Sequence, residues 1–100
     1  MLADTSKPPS WSRRAAAALT NSLDRIAAED PLVAEMVMAR VERSVALIQA
    51  QPGIGTQTAT PGVRRHAVPN TGHVIVYRFV KGEVRILRWY RARQRPPLRT

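Results

Sequence analysis

Two runs of eight residues, His73–Val80 (HVIVYRFV) and Glu83–Tyr90 (EVRILRWY), flank the dipeptide Lys81-Gly82. Both runs are rich in β-branched and aromatic residues, and a two-residue link ending in Gly is a strong hairpin signal. A lone hairpin is marginal in water, so its apolar side needs a cover. The first half of the chain supplies one. After Ser12, a candidate N-cap, Ala15, Leu19, Ser22/Leu23 and Ile26 recur at helical spacing to about Ala28, and Ala15 to Ala18 raise the helix propensity. Asp30-Pro31 then starts a second helix, with Asp as cap and Pro as first helical residue. Its apolar stripe is Ala34, Val37, Val41, Val45 and Ile48, and it ends near Gln51, before Pro52 and Gly53. Two helices joined by so short a link form an antiparallel hairpin. Residues 52–62 read as a loop and Val63–Val68 as a third, short strand. The fold class is therefore α+β: a two-helix antiparallel hairpin packed on one face of a small curved antiparallel β-sheet.

A chain of 100 residues makes one domain and buries only about two-thirds of its unfolded surface. Residues 1–10 read as an extended arm or edge strand, because Pro8 and Pro9 do not suit a central strand. Residues 11–93 form the domain. Residues 94–100, with Pro96 and Pro97, form a basic tail. There is no Cys, which removes disulfides, thiol catalysis and Cys-ligated zinc. The two histidines, His66 and His73, have no carboxylate cluster near them, so no metal and no cofactor are expected. No apolar run approaches a membrane span, and no secretory leader is visible, so the cytoplasm is the expected compartment.

The charge is unevenly placed. Residues 51–100 hold ten Lys or Arg, nine of them Arg, against one acid, Glu83; residues 1–50 hold six bases and six acids. The formal charge of +9 thus belongs to the strand half. Alternation sorts the strands into two faces. Ile75, Tyr77 and Phe79 oppose Val74, Val76 and Arg78; Leu87 and Trp89 oppose Ile86, Arg88 and Tyr90. With the larger apolar sets under the helices, the other face shows Arg78, Arg88 and Tyr90, with Arg64 or Arg65 beside them. A bare face of guanidinium groups suits polyphosphate or a very acidic protein. Trp11 and Trp89 read as core, His66 as a surface residue and His73 as structural.

Short motifs in a fixed order carry a resemblance. W-S-R-R-A (11–15), L-x-x-I-A (23–27), D-P-x-x-A (30–34), P-G-I-G (52–55), P-G-V-R (61–64), T-G-H-V-I-V-Y-R (71–78) and V-R-I-L-R (84–88) followed by A-R-Q (92–94) span nearly the whole domain. On these the chain resembles the RelE/ParE superfamily of toxins from bacterial type II toxin–antitoxin modules, and most closely its ParE branch. The resemblance implies a cognate antitoxin, acidic and folding on binding. It also implies either poisoning of DNA gyrase, as in ParE-like members, or cleavage of mRNA on the ribosome, as in RelE-like members. ParE-like sequences commonly carry L-H-x-A-R in the last strand, whereas this chain has W-Y-R-A-R at 89–93.

Three functional classes stay open at this stage. For RNA cleavage, Arg64, Arg78 and Arg88 would neutralise charge on the attacked phosphate and Tyr90 would move a proton. For a gyrase inhibitor, Arg64, Arg65, Arg78, Arg88, Arg91, Arg93 and Arg95 would bind the target. A non-toxic nucleic-acid-binding module is the third class, and no RRM, KH or helix-turn-helix signature supports it. No P-loop or dinucleotide fingerprint is present.

Overall fold

The computed structural model describes residues 7–92. Its elements run in the order β1 (Ser10–Trp11), α1 (Arg13–Glu29), α2 (Pro31–Ala50), a 3₁₀ turn (Pro52–Ile54), β2 (Thr56–Gln57), β3 (Val63–Val68), β4 (His73–Val80) and β5 (Glu83–Arg91). The five strands form one sheet in the order β1-β5-β4-β3-β2. Strands β2 to β5 are antiparallel, as expected, while β1 adds a parallel pair at the β5 edge. The helical hairpin covers one face. Among the described residues no helix is long and apolar enough to cross a membrane.

Capping sets the helix limits. The Ser12 hydroxyl accepts from the Ala15 amide at 3.0 Å and donates to the Leu87 carbonyl at 3.0 Å. One side chain thus starts α1 and pins it to β5. The Asp30 carboxylate accepts from the Leu32 and Val33 amides at the head of α2, with Pro31 at the first helical position. The expected α2 stripe is confirmed in Val37, Val41, Val45 and Ile48, which are buried, with Ser44 buried among them. On α1 only Ala15 is fully buried; Leu19, Leu23 and Ile26 pack partly against the core. The sheet contributes Val68, Ile75, Tyr77, Val84, Ile86 and Trp89 to the same cluster, and Trp11 leans on it. Trp89 is core, as expected, and its indole N–H donates to Ser22 on α1 at 2.9 Å.

The β4–β5 turn has the backbone its dipeptide demands. Lys81 has φ 51° and Gly82 has φ 78°, the double positive φ that matches the twist of a hairpin.

One expectation about β5 needs correction. Val76 opposes Arg88 and Tyr77 opposes Ile86, so Leu87 is left over as a one-residue bulge. A bulge shifts the alternation by one. Ile86 therefore joins Val84 and Trp89 in the core, and Leu87 turns to the other face with Arg88, the reverse of the assignment made from strict alternation. Phe79 lies on the helix side as expected, but beyond the helices' cover, and is 37% exposed.

A phenol closes the far end of the core. The Tyr77 hydroxyl donates to the Pro52 carbonyl at 2.7 Å and accepts from the Gly55 amide at 2.9 Å. The segment read as a loop thus contains the short strand β2 and is tied to β4. Only Gly fits at 55: a Cβ there would stand 2.7 Å from the phenol oxygen and 2.8 Å from the Arg65 carbonyl oxygen. Removing the phenol hydroxyl strands a buried acceptor and donor, a loss of about 1–3 kcal/mol. Tyr77→Phe is therefore expected to lower the Tm by roughly 5–15 °C in a circular-dichroism melt. Tyr90→Phe, on the face away from the helices, is expected to leave it within about 2 °C.

Candidate interaction face

The sheet face away from the helices carries Val63, Arg65 and Ala67 from β3, Val74, Val76 and Arg78 from β4, and Arg85, Arg88 and Tyr90 from β5. This follows from register: Arg65 opposes Val76, Arg78 opposes Arg85, Arg88 opposes Val76 and Tyr90 opposes Val74. The face is not wholly bare, because Thr58 and Thr60 of the β2–β3 connection border it. Together with Val63, Val76, Arg78, Leu87, Arg88, Tyr90 and Arg91 they line a groove of about 730 Å³. Its floor is aliphatic and its walls are cationic.

Charge on this face is nearly uncompensated. Arg78 and Arg85 are direct cross-strand partners, an arrangement that destabilises a sheet when both charges are alike. Glu83 relieves half of it, accepting from the Arg85 Nε at 2.8 Å, the one salt bridge among the described residues. That hydrogen bond holds the Glu83 carboxyl below its ordinary range. Arg65, Arg78 and Arg88 have no acidic partner among the described residues, and the Arg78 Nε is buried without a hydrogen-bond acceptor there.

The structure brings together five of the candidate residues and separates one. Arg65, Arg78, Arg88, Tyr90 and Arg91 share the face or its rim. Arg64 opposes Tyr77 and so points to the helix side, where its Nη1 donates to the Gly55 carbonyl at 2.7 Å. It braces the turn that the Tyr77 phenol closes. Arg93 and Arg95 lie outside the described residues. Alternation alone separates Arg64 from Arg65 once Val63 is assigned to the outer face, but that assignment comes only from the register against β4.

Neither histidine is on the cationic face. His66 lines a groove between β3 and α2 beside Arg40, Arg43 and Leu47, and its Nε2 is buried. His73 is 4% exposed and stacks on Trp89, ring centroids 4.4 Å apart and 14° from parallel. No group of three or more His, Cys, Asp or Glu side chains stands together among the described residues.

A two-helix hairpin on one side of a sheet, with arginines on the other, defines the class of small toxin to which the sequence motifs pointed. A solved structure described as the chromosomal ParDE toxin–antitoxin system from P. aeruginosa is similar at 28% identity and a TM-score of 0.71, over 82% of this chain and 91% of that one. Comparison with curated protein sequences finds no match. The family described as ParE toxin of the type II toxin–antitoxin system, parDE, matches residues 10–96. The chain belongs to that ParE toxin family.

The histidines make stability depend on pH. Burial holds both imidazoles below their ordinary titration range; at His73 the charge of Arg91 adds to the burial and the backbone of Thr71 pulls weakly the other way. An unfolded chain protonates its histidines near pH 6.5, the folded protein only at lower pH. Between those values the unfolded state binds more protons, so folding stability falls as pH drops below about 6.5. The Tm is expected to hold steady from pH 8 to 7 and to fall from pH 6.5 to 5, with a shallower fall in His73→Gln, measured by calorimetry in matched ionic strength.

Proposed function

We propose that this ParE toxin arrests growth by inhibiting DNA gyrase, with the cationic face holding one state of the enzyme–DNA complex. An inhibitor of that kind acts by binding one conformation better than another and needs no proton chemistry. The observation that carries this reading is the composition of the groove. Among the described residues its only ionisable groups are Arg78, Arg88, Tyr90 and Arg91, with no carboxylate and no imidazole. Both histidines lie on the helix side, out of reach of a phosphate held between Arg78 and Arg88. Phosphoryl cleavage by a 2′-hydroxyl calls for a base within hydrogen-bond reach. Electrostatic binding to DNA or an acidic protein surface calls only for the arginines.

A supercoiling assay with purified gyrase tests this directly. The expected result is inhibition with trapped DNA breaks, weakening steeply as salt is raised. Arg78→Ala/Arg88→Ala is expected to lose at least about tenfold in potency, two charge-assisted contacts being worth more than 1.4 kcal/mol together. Arg13→Ala/Arg14→Ala, an equal change of charge on exposed α1 positions, is expected to lose little. If gyrase is untouched and mRNA is instead cut in a translation reaction, with Tyr90→Phe abolishing the cut, the RelE-like chemistry is the right one.

A ParE toxin of a parDE module is paired with an antitoxin, and α2 offers it a seat. Leu32, Met36 and Leu47 are 73%, 48% and 39% exposed. With the exposed Ala39 and Ala46 they form a stripe on the side of α2 opposite its buried residues. Arg43 lies within the stripe and Arg40 borders it, with Glu35 and Glu42 on the opposite border, which suits an amphipathic segment with acids along one side. Leu32→Asp/Met36→Asp is expected to weaken antitoxin binding by at least tenfold in calorimetry without lowering the Tm, because neither residue is in the core.

A further inference from the structure

On the helix side, where the helical hairpin meets the β3–β4 turn and the end of β5, lies a crevice of about 200 Å³. Ser22 and Arg25 of α1, Thr71 and His73 of the turn and β4, and Arg91 of β5 line it. We propose that this crevice is a binding site for a phosphate-type dianion, held by the guanidinium groups of Arg25 and Arg91 with His73 and Ser22 as neutral donors.

Four observations converge on it. No acidic side chain lines the crevice, although two arginines do. The His73 imidazole is 4% exposed, and apart from a weak interaction with the Thr71 backbone its ring nitrogens are buried without a hydrogen-bond partner among the described residues. The Arg91 Nε is buried without one as well. The Ser22 hydroxyl accepts from the Trp89 indole at 2.9 Å, and its own proton has no acceptor among the described residues. Each stranded buried donor is costly, and native proteins keep few of them unless water or an ion completes the set. The ring face of His73 is taken by Trp89, so an acceptor in its ring plane is what remains to be supplied.

The donor set selects the ligand. Two guanidinium forks match the paired oxygens of a carboxylate or a phosphate. Two full positive charges with no acid between them favour two negative charges over one. The volume holds one tetrahedral oxyanion with a few waters, each water occupying about 30 Å³. Such an anion would also offset the Arg91 charge, which now disfavours protonation of His73. The crevice opens on the helix side of the sheet and shares only Arg91, at the end of β5, with the groove of the cationic face.

The test is a titration of the full chain, labelled with ¹⁵N-histidine, with inorganic phosphate at constant ionic strength and neutral pH. The expected result is a saturable shift of the His73 side-chain resonances, with those of His66 unmoved and the His73 pKa raised at saturation. Arg25 is exposed on a helix, so Arg25→Ala is expected to fold normally while weakening phosphate binding at least about tenfold. Arg25→Lys is expected to recover part of it, and Arg14→Ala to change nothing. Acetate is expected to bind at least about tenfold more weakly than phosphate. Three results would overturn the proposal: a His73 shift that does not saturate, equal affinity in Arg25→Ala, or acetate binding as tight as phosphate.

Discussion

The one-residue bulge at Leu87 decides which side of the sheet every later residue of β5 faces. Before it, Val84 and Ile86 point under the helices; after it, Trp89 does so, and Arg88 and Tyr90 turn out beside Arg78. With regular pairing from the turn onward, Arg88 would be driven into the apolar core and Trp89 into water. Ser12 completes the bulge. Its hydroxyl takes the Leu87 carbonyl while its oxygen caps α1, and its amide donates to the Ile86 carbonyl at 2.8 Å. The start of the helical layer and the irregularity in the sheet are thus one hydrogen-bonded unit. The parallel pairing of Ser10 and Trp11 with Arg85 and Ile86 brings Ser12 to that position.

The core and the unpaired charge are divided between the two faces of the sheet. The helix side holds the core, the Trp89–Ser22 bond and the Tyr77–Gly55–Arg64 brace. The other side keeps like charges directly across from each other at Arg78 and Arg85, with a single carboxylate to offset them. A fold does not gain from that arrangement on its own account. In the proposed function an anionic partner would exchange that repulsion for charge-assisted contacts in the groove. The exposed outer stripe of α2 has the same character: apolar surface that the monomer leaves uncovered.

Much of this was legible in the sequence, and the reasons are local. Lys81-Gly82, Ser12 and Asp30-Pro31 each fix their own backbone within a few residues, so the hairpin, both caps and the strand bounds of Val63–Val68 and His73–Val80 could be read directly. The misplacement of Leu87 and Ile86 has an equally physical origin. The bulge carries no Gly, and its Leu87 carbonyl is bound by a partner seventy-five positions away in the chain, Ser12. Strand β1 is two residues long and acquires its direction only from β5. Arg64 and Arg65 are adjacent and chemically identical, so only the register against β4 shows that Arg64 braces a turn and Arg65 faces outward. The stacking of His73 on Trp89 is likewise a cross-strand fact, invisible until Ile75 is known to oppose Trp89.

The interstrand nuclear Overhauser contacts between β4 and β5 probe the bulge without intermediaries. Backbone contacts are expected to pair Val76 with Arg88 and Tyr77 with Ile86, with none placing Leu87 opposite a β4 residue. Contacts pairing Val76 with Leu87 and Ile75 with Arg88 would contradict it, because Arg88 would then lie beside Ile75 under the helices, on the opposite face from Arg78.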